Sequence, residues 1–478
     1  LQGDWSSDVC SSDLKMINCF IPFLSLPQAR QTVRALGLCD RIKNIYLLAT
    51  EKIPDEVEGC EMLMIDSPAS TATFRTIALH ADTAYTLLYT KYTAFEPGQF
   101  AFERLLAIAG DTNAGMLYAD RYLLKNGNSQ QAPVIDYQKG SLRDDFDFGS
   151  LLFFRSSVLK QAVRAMDADY RFAGLYDLRL RVSELAELVH VNEYLYSEVE
   201  TDIRKSGEKL FDYVDPKNRA VQIEMEAVCT AYLKRVGGYL APDFEPVTFD
   251  AGGFEQEASV IIPVRNRIRT IEDAIRSVLA QKTTFRFNLI IVDNHSTDGT
   301  SEAIGKYTAD GRVVHLVPER SDLGIGGCWN VGVHHPACGK FAVQLDSDDV
   351  YSGPDTLQKI VDAFYEQNCA MVVGTYRMTD FKMNEIPPGI IDHREWTLEN
   401  GRNNALRING LGAPRAFYTP VLRRINLPNT SYGEDYALGL RISRTWRIGR
   451  IYDVLYLCRR WEDNSDAALD VVKMNGHN

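Results

Sequence analysis

From Ser259 to Asp349 the chain repeats one unit, a short apolar run, a polar turn and an amphipathic helix, and this alternation limits the fold more than any other feature. SVIIPV is a β-branched run closed by a proline and a polar turn, the pattern of a buried parallel strand. TIEDAIRSVLAQ then sets Ile271, Ala274, Ile275, Val278 and Leu279 on one helical face, with Thr270 and Asp273 spaced as a capping box. NLIIVD, a helix from about Asp298, VVHLVP, a helix from about Gly327 and KFAVQLD repeat the unit. Strands separated by helices in this way predict an open, mostly parallel α/β sheet.

The N-terminal half echoes the order more weakly. CFIPFLSLPQARQTVRALG and NIYLLAT match the layout of VIIPVRNRIRTIEDAIRSVLAQ and LIIVDN, and GLYDLRLR matches GEDYALGLR, so an internal duplication is expected. A length of 478 residues also calls for two cores rather than one. The expected division is a non-native leader over 1–14 (including Trp5 and Cys10), a first domain over 15–240, a linker over 241–257 and a second domain over 258–478. A helix around 216–236 should precede the linker.

The net charge of -12 and the lack of a basic block argue against a nucleic-acid partner. Nine cysteines without a C-x-x-C pair read as scattered, mostly buried thiols of a reducing compartment, which favours the cytoplasm. No run approaches the roughly 18 apolar residues of a spanning helix, which leaves peripheral association with the inner face of a membrane open.

The chemistry concentrates in LDSDD, Leu345 to Asp349, where carboxylates close an apolar strand. Alternate residues of an extended chain face the same way, so Asp346 and Asp348 should project together into the crevice at the strand's carboxyl end, where open α/β sheets bind ligands. A divalent cation, Mg²⁺ or Mn²⁺, is the ordinary means of keeping close carboxylates ionised; a solvated acidic turn is the plainer alternative. Asp293 leaves a second apolar strand in VDNHSTDGT, where it can accept a hydrogen bond from a base or ribose, while Ser296, Thr297 and Asp298 read as turn and cap residues.

The ordered series VIIPVRN, VDNHSTDGT, LDSDD and GED resembles glycosyltransferase family 2 over residues 258 to about 466. The resemblance implies tandem Rossmann-like domains of the GT-A fold, the first a degenerate copy, and an inverting transferase using a nucleotide-sugar donor. It implies that Asp293 contacts the nucleobase, that Asp346 holds the ribose or phosphate side, and that Asp348 ligates the cation. Pro263, Val264 and Arg265 would line the nucleotide pocket. Asp435 takes the position of the catalytic base, with Glu434 beside it; a helix cap is the alternative for the pair. A hexose from UDP, with GDP-mannose second, and a glycan or lipid-linked acceptor complete the expectation.

Two departures bear on detail. Trp329 stands where the family has an arginine before Asn330, so phosphate contacts must come from elsewhere. Arg459 and Arg460 are candidates for them and Trp461 for the acceptor wall, with an ion pair and a core aromatic as the alternatives. Leu457 interrupts the Q-x-x-R-W pattern of processive relatives, which favours single addition. His393, Glu395 and Trp396 fall where the acceptor side should form. Gly324, Gly326 and Gly327 do not make a dinucleotide loop, because Trp329 occupies the third glycine's place. A nucleotidyltransferase would need a Gly-rich loop after its first strand, and RNRIRT has none. A non-catalytic carbohydrate-binding or scaffold protein remains the alternative from another class. In the first half, pattern alignment sets Tyr89 and Lys91 against Asp346 and Asp348.

Overall fold

The computed structural model describes residues 15–52, 55–125, 127–199, 218–250, 252–461 and 475–476. The expected leader, with Trp5 and Cys10, lies outside the described residues, as does the end of the family-like stretch beyond Trp461.

The first domain runs β1 (Ile17–Pro22), α1 (Leu26–Gly37), β2 (Ile42–Ala49), β3 (Glu61–Met64), α2 (Thr71–His80), β4 (Tyr85–Tyr89) and β5 (Phe95–Pro97). It continues with α3 (Ala101–Thr112), β6 (Met116–Lys125), β7 (Asn128–Ala132), β8 (Leu151–Arg155), α4 (Ser156–Arg164), α5 (Gly174–Leu185) and β9 (Leu188–Val199). Helix α6 (Arg219–Arg235) leads to the second domain, which opens with β10 (Ala258–Val264), α7 (Ile271–Leu279), β11 (Phe287–Asp293), α8 (Thr300–Gly305), β12 (Val313–Leu316) and α9 (Ile325–His334). Then come β13 (Phe341–Gln344), β14 (Val350–Tyr351), α10 (Thr356–Gln367), β15 (Met371–Thr379), β16 (Glu385–Ile391), α11 (Gly401–Asn404), β17 (Arg415–Tyr418), α12 (Thr419–Ile425), α13 (Glu434–Ser443) and β18 (Ile448–Arg459).

The two sheets have one topology. The first orders its strands β3-β2-β1-β4-β8-β6-β9-β5, with β7 on β6; the second orders them β12-β11-β10-β13-β17-β15-β18-β14, with β16 on β15. Parallel pairing holds from β12 through β13, as the alternation of strands and helices requires. The sheet is mixed beyond that point, because β17 runs antiparallel to both β13 and β15 and β15 folds back on β16 as a hairpin. Val260 to Ile262 and Leu289 to Val292 are wholly buried, since helices cover both faces of these strands. Helix α7 buries Ile271, Ala274, Ile275 and Val278 as its spacing demands. The capping box does not form: Thr270 makes no side-chain cap, and Asp273 instead accepts from Arg459 Nη1 at 2.9 Å.

Strand register corrects the alignment of the two halves by one residue. Phe20 pairs with Leu88 where Ile261 pairs with Gln344, and Tyr85 pairs with Arg155 where Phe341 pairs with Tyr418. Asp346 and Asp348 therefore correspond to Thr90 and Tyr92, not to Tyr89 and Lys91. Pro22 pairs with Leu48 where Pro263 pairs with Val292, so Ala49 stands for Asp293. Helices α5 and α13 begin at Gly174 and Glu434, which puts Leu175 at the place of Asp435. Asp293, Asp346, Asp348, Glu434 and Asp435 thus stand opposite Ala49, Thr90, Tyr92, Gly174 and Leu175, all neutral.

The candidate linker runs over the second domain: Glu245 bridges to Trp446, Val247 is buried, and the Phe249 ring meets those of Phe341 and Tyr418. Helix α6 joins the halves, its Val228, Cys229, Tyr232 and Leu233 packing with Tyr176 and Leu180 of α5 and with Leu406. Arg407, 0% exposed, pairs there with Asp144 of the first domain and donates to Gln222 Oε1 at 2.8 Å and Asn404 Oδ1 at 2.9 Å.

The three glycines of DLGIGG are there for close approach. A Cβ on Gly326 would stand 1.9 Å from Pro428 O, and one on Gly324 would stand 2.5 Å from the carbonyl carbon of Thr430. Helix α9 is thereby pressed onto the loop that leads to α13. Gly326→Ala should lower unfolding stability by about 1–3 kcal/mol through overpacking, measurable by denaturant titration; an unchanged midpoint would refute this role for the glycine.

Candidate active site

The site begins where β13 ends. Leu345 is buried, the chain turns through an Asp349 N–H to Asp346 carbonyl bond of 3.2 Å, and the three aspartates separate. Tyr456 O–H donates to Asp346 Oδ2 at 3.0 Å and accepts from its N–H at 3.1 Å, while Gln344 Nε2 lies 3.1 Å from both carboxylate oxygens. Asp349 turns inward, 5% exposed, and accepts from Arg459 N–H at 2.7 Å. Asp348 is half-buried, its Oδ2 3.3 Å from Trp461 Nε1 and 3.9 Å from Arg267 Nε.

These carboxyls burden one another. Burial raises Asp346, Arg415 opposes the rise, and the charge of Asp348 adds to it. Asp349 is pushed well above the carboxylate range by burial and then by Asp348 and Asp346. Such a group invites a counter-charge.

One counter-charge is already built in. The antiparallel register of β17 on β13 carries Arg415 beside Gln344, whose Oε1 accepts from Arg415 Nε at 3.0 Å and from its N–H at 3.1 Å. Arg415 Nη1 pairs with Asp435 Oδ2, and Asp435 Oδ1 accepts from Tyr436 N–H at 2.7 Å. The charges of Asp435, Asp346 and Glu434 all act on this half-buried guanidinium. Burial and the charge of Asp435 push Glu434 up to about 7, and its Oε2 is buried without a hydrogen-bond partner.

Asp346, Glu434 and Asp435 thus act together on Arg415, and Asp348 acts on Asp346, but Asp293 stands apart. Two strand spacings, about 10 Å, separate the ends of β11 and β13, with β10 between them. Asp293 is 0% exposed; it accepts from Ser296 N–H at 3.0 Å and from Ser301 Oγ, with His315 Nε2 at 3.4 Å. Burial works against its charge, but these donors outweigh burial and hold its carboxyl below the usual range. Pro263 is half-buried, Val264 buried and Arg265 exposed at the adjoining turn. Ser296 and Asp298 bind the β10 and β11 turns together by accepting from Asn266 and Ile268 N–H, as turn residues should.

At the end of β18, Arg460 N–H bonds Thr379 O at 2.8 Å. Trp461 lies under Arg267 and Arg269, 5.8 and 5.0 Å from its ring, and against Phe381 at 5.4 Å. Trp329 is a core residue, edge-on to Phe417 at 5.8 Å. His393, Glu395 and Trp396 also turn inward rather than toward an acceptor, with His393 Nδ1 2.8 Å from Glu395 Oε1 and Arg450 stacked 4.7 Å from the Trp396 ring. Sequence reasoning missed Arg415, Gln344 and Tyr456. The available signal was the charge balance: clustered acids beneath a buried strand end need a buried cation.

Sheet order, helix cover and acids at the carboxyl edge define the second domain as an α/β domain with a mixed sheet. Residues 259–424 match the family Glycosyl transferase family 2. An uncharacterized glycosyltransferase of Rickettsia felis is 30% identical over 200 residues, 41% of this chain and 32% of that protein. The Bacillus subtilis glycosyltransferase TuaG is 33% identical over 120 residues, 25% of this chain and 46% of its own length. The chain thus spans less than half the length of these relatives. Among solved structures, S. aureus TarS in complex with UDP-GlcNAc is 22% identical with a TM-score of 0.38, covering 46% of this chain and 65% of that one. The mannosyltransferase PcManGT of Pyrobaculum calidifontis, in complex with GDP-Man and Mn²⁺, is 18% identical with a TM-score of 0.36, covering 53% and 70%.

Proposed function

We propose that the second domain transfers a hexose from a nucleotide diphosphate sugar, UDP first, to a hydroxyl of a glycan or lipid-linked acceptor with inversion. One observation carries this reading: Arg415 of β17 draws Asp346, just past β13, together with Glu434 and Asp435 of α13, and Asp348 acts in turn on Asp346. Such a cluster offers acids to a hydroxyl and to a cation within one crevice.

The donor set suits a hard divalent cation such as Mg²⁺ or Mn²⁺. Such cations commonly take one or two carboxylates and draw their other ligands from substrate phosphates, and Asp348 is the carboxylate of LDSDD assigned to that role. When bound, the cation offsets charge developing on the diphosphate as the sugar departs. Asp346, held by Tyr456 and Gln344, accepts from the ribose or phosphate side of the donor. Pro263, Val264 and Arg265 line the nucleotide pocket, with Arg267 and Arg269 adding positive charge toward the diphosphate. Ser301 and His315 both contact Asp293 Oδ2, so the nucleobase contact is assigned to Oδ1, which accepts from Ser296 N–H. Arg460 and Trp461 stay assigned to the phosphate and acceptor side, and the acceptor's proton goes to the Glu434–Asp435 pair.

The first domain is read as a non-catalytic copy that braces the second, because neutral residues stand at each acid's place. Among the described residues no helix is long and apolar enough to cross a membrane; a cytoplasmic or inner-face location belongs to this reading. The test is release of nucleoside diphosphate from UDP-glucose, UDP-N-acetylglucosamine, UDP-galactose and GDP-mannose with Mn²⁺. Release from one donor is expected, and absence of both release and nucleotide binding across the panel defeats the reading.

A further inference from the structure

The turn LDSDD and the short strand after it are laid against β18. Tyr456 O–H holds Asp346 Oδ2 at 3.0 Å, Leu457 pairs with Val350, and Arg459 N–H donates to Asp349 Oδ1 at 2.7 Å. The Arg459 side chain extends this grip. It is 1% exposed, too deep to meet a phosphate, and its guanidinium donates through Nε to Asp348 O and through Nη1 to Asp273 Oδ2 of α7 at 2.9 Å, with the Phe381 ring 4.8 Å away. One buried cation thus ties the main chain of Asp348 to a neighbouring helix. Two residues on, Trp461 reaches the side chain: its indole N–H donates to Asp348 Oδ2 at 3.3 Å, while Arg267 and Arg269 lie over the ring at 5.8 and 5.0 Å. An ionised carboxylate has about four lone-pair sites, so a single N–H fixes its direction and leaves it able to meet a cation. Carboxylates that ligate metals are ordinarily held by such hydrogen bonds from behind.

The first domain offers an internal comparison. Its β9 keeps Tyr196 at the place of Tyr456, but strand register puts Val199, 42% exposed, where Arg459 stands. The arginine is missing from the copy that also lacks the acids, as it should be if its work is to hold them.

We propose that the end of β18 is the positioning element of the cation site, with Arg459 setting the main chain at Asp348 and the Trp461 N–H turning its carboxylate. The proposal rests on the transferase reading above, in which Asp348 holds the cation. In this role both residues act through Asp348. Loss of either leaves the charge of the carboxylate in place but frees its direction, so the cation binds more weakly while turnover, once it is bound, is retained. Removal of Asp348 itself takes the ligand away, and the two kinds of variant are therefore separable.

The test is Mn²⁺ binding by the full chain in the presence of UDP, read from the loss of the free-ion electron paramagnetic resonance signal. Trp461→Phe keeps an aromatic ring beside Arg269 and Phe381 and removes the N–H donor; its Mn²⁺ affinity should fall about 10- to 100-fold, the usual cost of deleting a hydrogen-bond partner behind a metal ligand. Arg459→Lys, whose single ammonium cannot serve Asp348 O and Asp273 together, should fall by a similar factor, and Phe381→Leu, which spares both donors, by less than about threefold. Trp461→Phe decides alone if Arg459→Lys does not fold. In nucleoside diphosphate release, Trp461→Phe should need more Mn²⁺ for its half-maximal rate and approach the wild-type rate at saturation, whereas a purely structural defect would lower the rate at every Mn²⁺ concentration. Equal Mn²⁺ affinity in wild type, Trp461→Phe and Arg459→Lys would overturn the proposal and leave the transferase reading standing. A wild-type chain that binds UDP but no Mn²⁺ would remove the cation from that reading, and this proposal with it.

Discussion

Asp348→Ala should lower nucleoside diphosphate release by about a hundred- to a thousandfold, the loss expected when one preorganised electrostatic partner of the leaving group is removed. Asp348 is the carboxylate of LDSDD assigned to the cation, since Asp349 is turned inward and Asp346 is held by Tyr456 and Gln344. The fold should survive the change. Asp346 and Asp349 both carry carboxyls raised by burial and by their neighbours' charges, so removing Asp348 lowers the repulsion between them. The sign of the pH dependence follows. In the window between the ordinary carboxylate range and these raised values the folded chain binds more protons than the unfolded one, so stability falls as pH rises. That fall should be shallower in Asp348→Ala. Thermal unfolding across pH, with and without Mn²⁺, checks both halves: Mn²⁺ should raise the midpoint of the wild type and leave that of the variant unchanged. An equal Mn²⁺ shift in both proteins would mean that the cation binds elsewhere.

What could be read in advance followed from local pattern. The first strands of the second sheet were legible because parallel strands buried on both faces are written as unbroken apolar runs such as LIIV, and LDSDD was legible because acids rarely close such a run. The later strands were harder to read: β17 is four residues containing a charged side chain, and β14 only two. Arg415 was invisible for a physical reason. Its partners Gln344 and Asp435 are 71 and 20 residues away, and no spacing rule joins them. The capping box failed because Asp273 is claimed by Arg459, 186 residues downstream. The one-residue error in aligning the halves arose in a run of Leu and Tyr that is buried throughout, so no alternation in burial fixes its register.

Arg407→Ala should cost about 3–5 kcal/mol of unfolding free energy, the range for removing one partner of a buried ion pair. The residue joins the two copies, with Asp144 on one side and Gln222 of α6 on the other. Burial raises the carboxyl of Asp144, and Arg407 is the first influence holding it down. Without the guanidinium the folded-state value climbs further from the unfolded one. The loss should therefore be smaller at acidic pH, where Asp144 is neutral in both states, and should grow as pH rises through the raised value. Replacing both partners, as in Arg407→Met with Asp144→Leu, removes the orphaned charge and should recover most of the loss. The effect should also reach the chemistry. Tyr436 O–H donates to Ala405 O, two residues from Arg407, and Tyr436 adjoins Asp435. Loosening this seam should slow transfer while leaving the affinity for UDP unchanged, because the nucleotide turns lie on β10 and β11. Calorimetric scans of Arg407→Ala should separate into two transitions as the copies uncouple. A single transition at the wild-type temperature, with transfer unimpaired, would show that the first domain does not brace the second.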